Sequence, residues 1–235
     1  MTNFIGIVFA RSGSKGLKNK NILSFNGKPL IGWSIDQLKM CPYINDVIVS
    51  TDSKIIADIS RNYGAIVPFI RPTELAKDTS SEWLSWKHAA LELIKLDYKF
   101  DYLVSAPTTS PLRITDDITR GIDRILEDNS DALISVRKSR RHPAFNIVKI
   151  TDDNLIKIYD NSETYTRRQD VNPVYDITTV LYIASKSHIL NSDRLQNGNL
   201  SYIEIPYERS IDIDDQLDFD IANFIYNMRN NYDQK

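Results

Sequence analysis

Short apolar runs alternate with longer amphipathic segments along the first 136 residues of this 235-residue chain. The runs have the length and apolar content of buried strands, and the segments between them carry apolar residues at helical spacing. Such alternation favours an α/β fold with a doubly wound, mostly parallel and right-handed sheet. Ligands of these sheets bind beyond the carboxyl ends of the strands, where the following loops are expected to meet. The predicted strands are residues 4–10, 46–50, 66–70, 102–105 and 132–136, of which the third is broken by Pro68 and is expected near an edge of the sheet.

The loop after the first strand has the composition of a site for a polyphosphate. Its glycines allow consecutive N–H groups to converge on an anion, its serines add hydroxyl donors, and its basic residues add positive charge. It contains neither G-x-x-x-x-G-K-[ST] nor G-x-G-x-x-G, so it is not one of the two common nucleotide loops. A solvated basic turn is the alternative, which the position after the first strand disfavours. The residues are Arg11, Ser12, Gly13, Ser14, Lys15, Gly16 and Lys20.

Two carboxylates near the end of the chain form the second candidate site. Asp212 and Asp214 are two residues apart in an extended stretch, so their side chains point to the same side. A divalent cation relieves the repulsion between such neighbours, and Mg²⁺ commonly takes one or two carboxylates together with substrate phosphates. The alternative is that Asp214 only caps the helix that begins at Asp215. Spacing alone does not separate these two hypotheses.

Local signals predict how several helices begin. Asp52 is expected to cap the helix that follows the second strand. Thr79 and Glu82 have the spacing of a capping box before a long helix. The Asn-Gly pair at 26–27 is a strong signal for a tight turn.

The alternation of strands and helices stops at residue 139. Residues 145–150 and 155–159 have the pattern of a β-hairpin around a polar turn. A hairpin of this size cannot hold a core of its own, so the inserted arm, 139–175, is expected to pack on a second subunit of a homodimer. The whole chain, 1–235, is otherwise predicted to be one domain. Its remaining predicted elements are strands at 180–184 and 202–205 and a closing helix that ends at Met228.

Composition excludes several classes of protein. The chain has 29 basic and 31 acidic residues, a net charge of −2, which argues against a nucleic-acid partner. One cysteine, Cys41, excludes an intrachain disulfide and is compatible with a reducing cytoplasm. The sequence shows neither a signal peptide nor an apolar run of membrane length, so we expect a cytoplasmic protein with no membrane partner. The three histidines lack the spacing of a catalytic triad or a zinc site.

Several segments together resemble the acylneuraminate cytidylyltransferases, which are CMP-sialic acid synthetases and relatives that act on other nonulosonic acids. The resemblance covers nearly the whole chain, and the glycine-rich loop and the acidic segment are its most specific parts. The segments are ARSGSKGLKNKN at 10–21, RP at 71–72, DTSS at 78–81, TSPLR at 109–113, RRQ at 167–169 and DIDDQLDF at 212–219.

The resemblance implies a Rossmann-like nucleotidyltransferase fold, Mg²⁺ dependence and a homodimer in which the arm reaches the neighbouring subunit's site. The implied reaction moves CMP from CTP to the anomeric hydroxyl of a nine-carbon α-keto acid sugar and releases pyrophosphate. By position, the triphosphate would contact Arg11, Ser12, Gly13, Ser14, Lys15 and Lys20, and cytidine would contact Asn21, Arg71 and Ser81. The sugar would contact Thr109, Arg168 and Gln169, and Mg²⁺ would be held by Asp212 and Asp214, with Lys20, Arg11 and Asp212 carrying catalysis.

Two departures from the family pattern lie on the sugar side. Pro107-Thr108 stands where the sialate enzymes have Gln-Pro, and the stretch TTVLYI at 178–183 replaces NGAIYI. The expected nucleotide is therefore CTP, whereas the acceptor stays open between N-acetylneuraminate and a different nonulosonate. Two main alternatives remain at this point: a nucleotidyltransferase for 3-deoxy-octulosonate or a sugar phosphate, and a non-catalytic CTP-binding module. A GT-A glycosyltransferase ranks last, because its D-x-D motif usually lies mid-chain after a strand and not before the last helix.

Overall fold

A computed structural model of the chain describes residues 2–13, 16–160, 167 and 171–232. The strands are β1 (Phe4–Phe9), β2 (Ser24–Phe25), β3 (Lys28–Pro29), β4 (Ile44–Ser50), β5 (Tyr102–Ser105), β6 (Ala132–Lys138), β7 (Val148–Ile150), β8 (Ile156–Ile158), β9 (Tyr175–Ser185) and β10 (Leu200–Glu204). The α-helices are α1 (Leu30–Lys39), α2 (Lys54–Asn62), α3 (Glu82–Lys95), α4 (Thr115–Asp128), α5 (Lys186–Asn191) and α6 (Gln216–Tyr232).

The central sheet has six strands in the order β10-β6-β9-β5-β1-β4. β1 pairs in parallel with β4 and β5, and β10 pairs in parallel with β6, which confirms the predicted mostly parallel α/β fold. β9 is antiparallel to both of its neighbours. Because Ser105, the last residue of β5, pairs with Tyr182, the residues that precede Tyr182 lie beyond the carboxyl end of β5.

Helices cover both faces of the sheet. Alternate residues of β1 point to opposite faces, so Val8 joins one buried cluster and Ile7 joins the other. The first cluster is completed by apolar residues of α1, α2 and α4, and the second by residues of α3 and α5. A third cluster packs α6 against the small β2–β3 hairpin through Phe25 and Ala222. The acidic segment 212–214, which precedes α6, is thereby fixed to the body of the domain.

One predicted strand is wrong in its extent. Of residues 66–70, only Ile66 pairs with the sheet, through a single parallel bridge to Ile48. Pro68 has no N–H to donate to a ladder, so the chain leaves the sheet after one residue. It returns to the edge where the Arg71 N–H donates to the carbonyl of Thr51 at 2.8 Å.

The predicted helix caps are also wrong in two places. α2 is capped by Ser53, whose hydroxyl accepts from the N–H of Ile56, and not by Asp52. α3 starts after Ser81 without a side-chain cap, so the capping box at residues 79–82 does not form. The Asn-Gly turn is confirmed, since Asn26 and Gly27 both adopt positive φ, at 48° and 79°, between β2 and β3.

The predicted hairpin is confirmed as the antiparallel pair β7–β8. Its apolar side chains are largely exposed, among them Ile150 at 74% and Ile156 at 69%. An apolar surface of this kind on a two-stranded sheet is rare unless something covers it. Among the described helices, none is long and apolar enough to cross a membrane.

Candidate active site

A cleft of about 610 Å³ opens at the carboxyl edge of the sheet. It brings together the loop after β1, the loop after β5, the segment before α3, the acidic segment before α6 and part of β9. Of the predicted site residues, the cleft is lined by Arg11, Lys20, Asn21, Arg71, Thr109, Asp212 and Asp214. The basic loop and the acidic pair, almost two hundred residues apart in sequence, therefore share one site.

Lys20 connects these two parts directly. Its Nζ donates to Asp214 Oδ1 at 2.9 Å and to the carbonyl of Ile213 at 2.8 Å. The backbone of the loop also lies against the backbone of the acidic segment at Gly16, since a Cβ at this position would overlap the carbonyl oxygen of Asp214. The loop after β1 can therefore reach the acidic segment only with glycine at position 16.

The way in which α6 is capped excludes one of the two hypotheses for the acidic pair, namely that Asp214 only caps this helix. Asp215 accepts from the N–H of Asp218 at 3.0 Å, and Asp218 accepts in return from the N–H groups of Asp214 and Asp215. The helix is thus capped by Asp215 and Asp218, and the side chain of Asp214 turns to the cleft and Lys20. Helix capping does not account for Asp214.

Asp212 has the environment of a cation ligand. Burial raises the pKa of its carboxyl group and the charge of Asp214 adds to this, while the hydroxyls of Thr109 and Thr179 and the charge of Lys20 oppose the rise. Its Oδ1 atom is buried and has no hydrogen-bond partner among the described residues. A buried carboxylate oxygen without a partner, next to a second carboxylate, suits a hard divalent cation such as Mg²⁺.

A carboxylate that was not predicted for the site organises the start of the basic loop. Asp52 accepts from the N–H of Ser12 at 2.9 Å and from its hydroxyl at 2.6 Å. These two bonds fix the direction in which the chain leaves β1. Asp52 was expected to cap α2 instead, and the neighbouring Ser53 takes that role.

The two predicted site arginines that the structure describes differ in their surroundings. Arg11 is half-exposed and pairs with Asp78 at 2.7 Å. Arg71 is 4% exposed, donates from Nη1 to the hydroxyl of Ser85 at 3.2 Å, and has a pKa lowered by burial, with the charges of Asp52 and Glu82 opposing. A buried guanidinium at the cleft wall suits recognition of a polar group.

The other predicted residues have mixed outcomes. Asn21 is buried and holds the loops together, since its amide donates to the carbonyl of Arg11 at 2.8 Å and accepts from Thr108 at 2.5 Å. Ser81 is absent from the described lining of the cleft and borders a smaller neighbouring cavity of about 310 Å³. Gly13 is exposed and is absent from the described lining of the cleft. The remaining four predictions, Ser14, Lys15, Arg168 and Gln169, lie outside the described residues.

Sequence reasoning missed two buried ionic groups near the site, of which Arg113 supports the wall of the cleft through the carbonyl of Pro107. Arg113, 2% exposed, donates to the carbonyl of Val180 at 2.6 Å and to the hydroxyl of Ser34 at 2.9 Å. Asp117, fully buried, accepts two bonds from Arg209 at 2.8 and 3.0 Å. The TSPLR motif was the only sequence signal for Arg113, and the place of Asp117 in the first turn of α4 gave no hint of Arg209.

Comparison with known proteins identifies the family of the chain. The sequence profile of the family described as Cytidylyltransferase matches residues 5–231. The chain belongs to the cytidylyltransferase family. This cytidylyltransferase is therefore a nucleotidyltransferase.

Its relatives include proteins of nearly the same length. It is 33% identical over 233 residues to the "Post-translational flagellin modification protein B" of Campylobacter coli, covering 98% of this chain and 97% of that protein. It is 31% identical over 232 residues to the "CMP-N,N'-diacetyllegionaminic acid synthase" of Campylobacter jejuni, with the same coverage. It is 26% identical over 220 residues to a "Pseudaminic acid cytidylyltransferase" of Campylobacter jejuni, covering 94% of each protein.

Solved structures share the fold of this cytidylyltransferase. The structure of CMP:2-keto-3-deoxy-manno-octonic acid synthetase complexed with CTP superposes with a TM-score of 0.71 at 12% identity, covering 97% of this chain and 100% of that one. A 4-diphosphocytidyl-2C-methyl-D-erythritol synthase from Anaerococcus prevotii gives a TM-score of 0.67 at 17% identity, covering 96% and 99%. At these identities the likeness shows the fold alone.

Proposed function

We propose that this cytidylyltransferase transfers CMP from CTP to the anomeric hydroxyl of a nonulosonic acid and releases pyrophosphate. The observation that carries the proposal is the contact of Lys20 with Asp214, which joins a cationic, glycine-containing loop to an acidic pair in one cleft. The relatives named for legionaminic and pseudaminic acid support the class of acceptor.

The residues of the cleft fit the needs of phosphoryl transfer. Attack by the sugar hydroxyl on the α-phosphorus forms one P–O bond and breaks the bond to the β-phosphate, so negative charge grows on the departing pyrophosphate. Lys20 and Arg11 are the cations that we assign to this charge. Asp212 and Asp214 would hold Mg²⁺, which supplies further charge neutralisation when it is bound. We assign the hydroxyl proton to a water held by one of these carboxylates.

We propose CTP as the nucleotide and place cytidine against Asn21 and Arg71. The acceptor end of the cleft is assigned to Thr109 and Thr179, which lie beside Asp212. We propose a nonulosonate other than N-acetylneuraminate, because Thr178-Thr179 replaces the Asn-Gly of the sialate pattern.

We also propose that the arm joins two copies of the chain. The β7–β8 hairpin exposes Ile150 and Ile156, which a second copy would cover. In such a dimer, Arg168 and Gln169 of one copy would serve the sugar side of the other, as the resemblance implies. A cytoplasmic location fits the free, buried thiol of Cys41.

Pyrophosphate release tests the reaction. The chain is incubated with CTP and Mg²⁺ and one acceptor at a time: N,N'-diacetyllegionaminic, pseudaminic or N-acetylneuraminic acid, 3-deoxy-octulosonate, or a sugar phosphate. A CMP adduct of a nonulosonate, identified by mass, is the expected product. CTP binding without turnover of any acceptor would support the non-catalytic module, and turnover of only the last two acceptors would support the alternative enzyme.

Variants test the assignment of residues. Lys20→Ala and Asp212→Asn are expected to lower kcat/KM by about 10²-fold or more, since each removes a charge from the reacting phosphates or the metal site. Lys18→Ala is the matched control, because Lys18 is an exposed lysine of the same loop outside the described cleft lining. Wild-type activity in both cleft variants would show that the assignment is wrong.

A further inference from the structure

β9 carries a large bulge where it passes β6. The ladder pairs Ile134 with Tyr182 and then Val136 with Ile177. Between these pairs lies one residue of β6, Ser135, opposite four residues of β9. Such a bulge bends its strand and leaves backbone groups without ladder partners in the interior of the sheet.

The hydroxyl of Ser135 replaces the missing ladder bonds. It accepts from the Thr178 hydroxyl at 2.8 Å and from the N–H of Leu181 at 2.9 Å, and it donates to the carbonyl of Thr178 at 3.1 Å. Ser135 is fully buried. One small side chain therefore closes both ends of the bulge.

The opposite side of the bulge faces the cleft. Arg113 holds the carbonyl of Val180, and the hydroxyl of Thr179 lies 2.8 Å from that of Ser110. Thr179 lines the cleft together with Asp212, and its hydroxyl lowers the pKa of that carboxyl against the effect of burial. The bulge therefore sets the position of Thr179 next to the acidic pair.

We propose that Ser135 is a positioning residue for the acceptor end of the cleft and acts through Thr179. The proposal rests on the proposed function, in which this end receives the sugar hydroxyls. Without the Ser135 hydroxyl, the N–H of Leu181 and the hydroxyl of Thr178 would be buried without partners, so the bulge would relax and Thr179 would shift. The residues assigned to CTP lie on other loops and would keep their places.

Steady-state kinetics of Ser135→Ala tests this, with N,N'-diacetyllegionaminic acid, pseudaminic acid and N-acetylneuraminic acid as acceptor probes. We expect kcat/KM for the acceptor to fall about tenfold, while KM for CTP changes less than twofold. Ser201→Ala is the control: Ser201 is a buried serine of β10 that bonds to Ser130 and Asp128, away from the cleft. Ser201→Ala should lower Tm without a selective fall in kcat/KM for the acceptor.

A double-mutant cycle with Thr179→Val separates positioning from general loosening. If Ser135 acts through Thr179, kcat/KM for the acceptor falls no further in the double variant than in the more impaired single variant. Should Ser135→Ala not fold, Thr178→Val removes the hydrogen bond between the Thr178 hydroxyl and Ser135. It is expected to lower kcat/KM for the acceptor and to leave KM for CTP nearly unchanged.

The inference is overturned if Ser135→Ala raises KM for CTP as much as it lowers kcat/KM for the acceptor. It is also overturned if the two single-variant losses of kcat/KM add up in the double variant. A wild-type chain that is active with none of the probes instead refutes the proposed function, and the inference with it.

Discussion

Gly16 provides a sharp test of the contact between the basic loop and the acidic segment. A Cβ at Gly16 would overlap the carbonyl oxygen of Asp214, and a backbone atom cannot turn aside as a flexible side chain can. The acidic segment is also held in place, since the N–H of Ile213 donates to the carbonyl of Thr109 and its own carbonyl accepts from Lys20. In Gly16→Ala the loop must therefore withdraw, by on the order of 1 Å, to restore an ordinary contact.

That displacement can be converted into an expected loss of activity. A shift of about 1 Å in a positioning element costs roughly 10²-fold in rate, or about 2.7 kcal/mol of transition-state stabilisation. The core of the domain should stay folded, because Gly16 is exposed and the loop can withdraw without opening a buried cluster. The measurements are kcat/KM for CTP from pyrophosphate release and Tm from thermal unfolding.

Gly13→Ala is the matched variant in the same loop. A Cβ at Gly13 meets no described atom within 4 Å, so its loss of activity should be several times smaller than that of Gly16→Ala. If the two variants lose equally, the loss reflects loop stiffness in general. Equal losses would therefore show that the overlap with Asp214 does not set the position of the loop.

Three further variants test the supporting structure. Asp117→Ala should cost about 3–5 kcal/mol of stability and lower Tm by roughly 10 °C, because it leaves Arg209 without its buried carboxylate. Burial lowers the pKa of His88 in the folded chain, so below pH 6.5 the His88 imidazole is protonated more readily in the unfolded chain than in the folded one. The free energy of unfolding should therefore fall on acidification, and it should fall less in His88→Gln. Ile150→Asp with Ile156→Asp should convert the proposed dimer to a monomer in light scattering, whereas an unchanged mass would exclude the hairpin as the interface.

The fold was predictable from the sequence wherever the signal is local. Apolar runs and helical periodicity gave the existence of the strands before residue 139, and the Asn-Gly turn gave the β2–β3 hairpin. The strand at 66–70 was predicted too long because its apolar residues are typical of a strand, whereas Pro68 ends the pairing after Ile66. The predicted cap of α2 was wrong because Asp52 and Ser53 are adjacent and both residue types can cap, and the carboxylate of Asp52 instead accepts from the distant Ser12.

The same limit applies to the candidate site. The basic loop and the acidic pair were found because each is a cluster within a few residues of sequence. Asp117 and Arg209 lie 92 residues apart, and neither has an unusual neighbourhood in sequence. The assignment of a helix cap to Asp214 stayed open because Asp215 and Asp218, which cap α6, belong to the same acidic run.

The direction of β9 decides which residues the cleft receives. If β9 ran parallel to β5, its carboxyl end near Ser185 would face the cleft, and the bulge would lie at the opposite edge of the sheet. The antiparallel pairing of Tyr182 with Ser105 instead places Thr179 next to Asp212. Apolar periodicity predicts that a strand exists but does not predict its direction. The hydrogen bonds of Ser135 to the bulge in β9 could therefore not be inferred from its neighbours in sequence. A buried residue of β6 thereby sets the position of a β9 residue that lies beyond the carboxyl end of β5, and the coupling energy between Ser135 and Thr179 measures this effect.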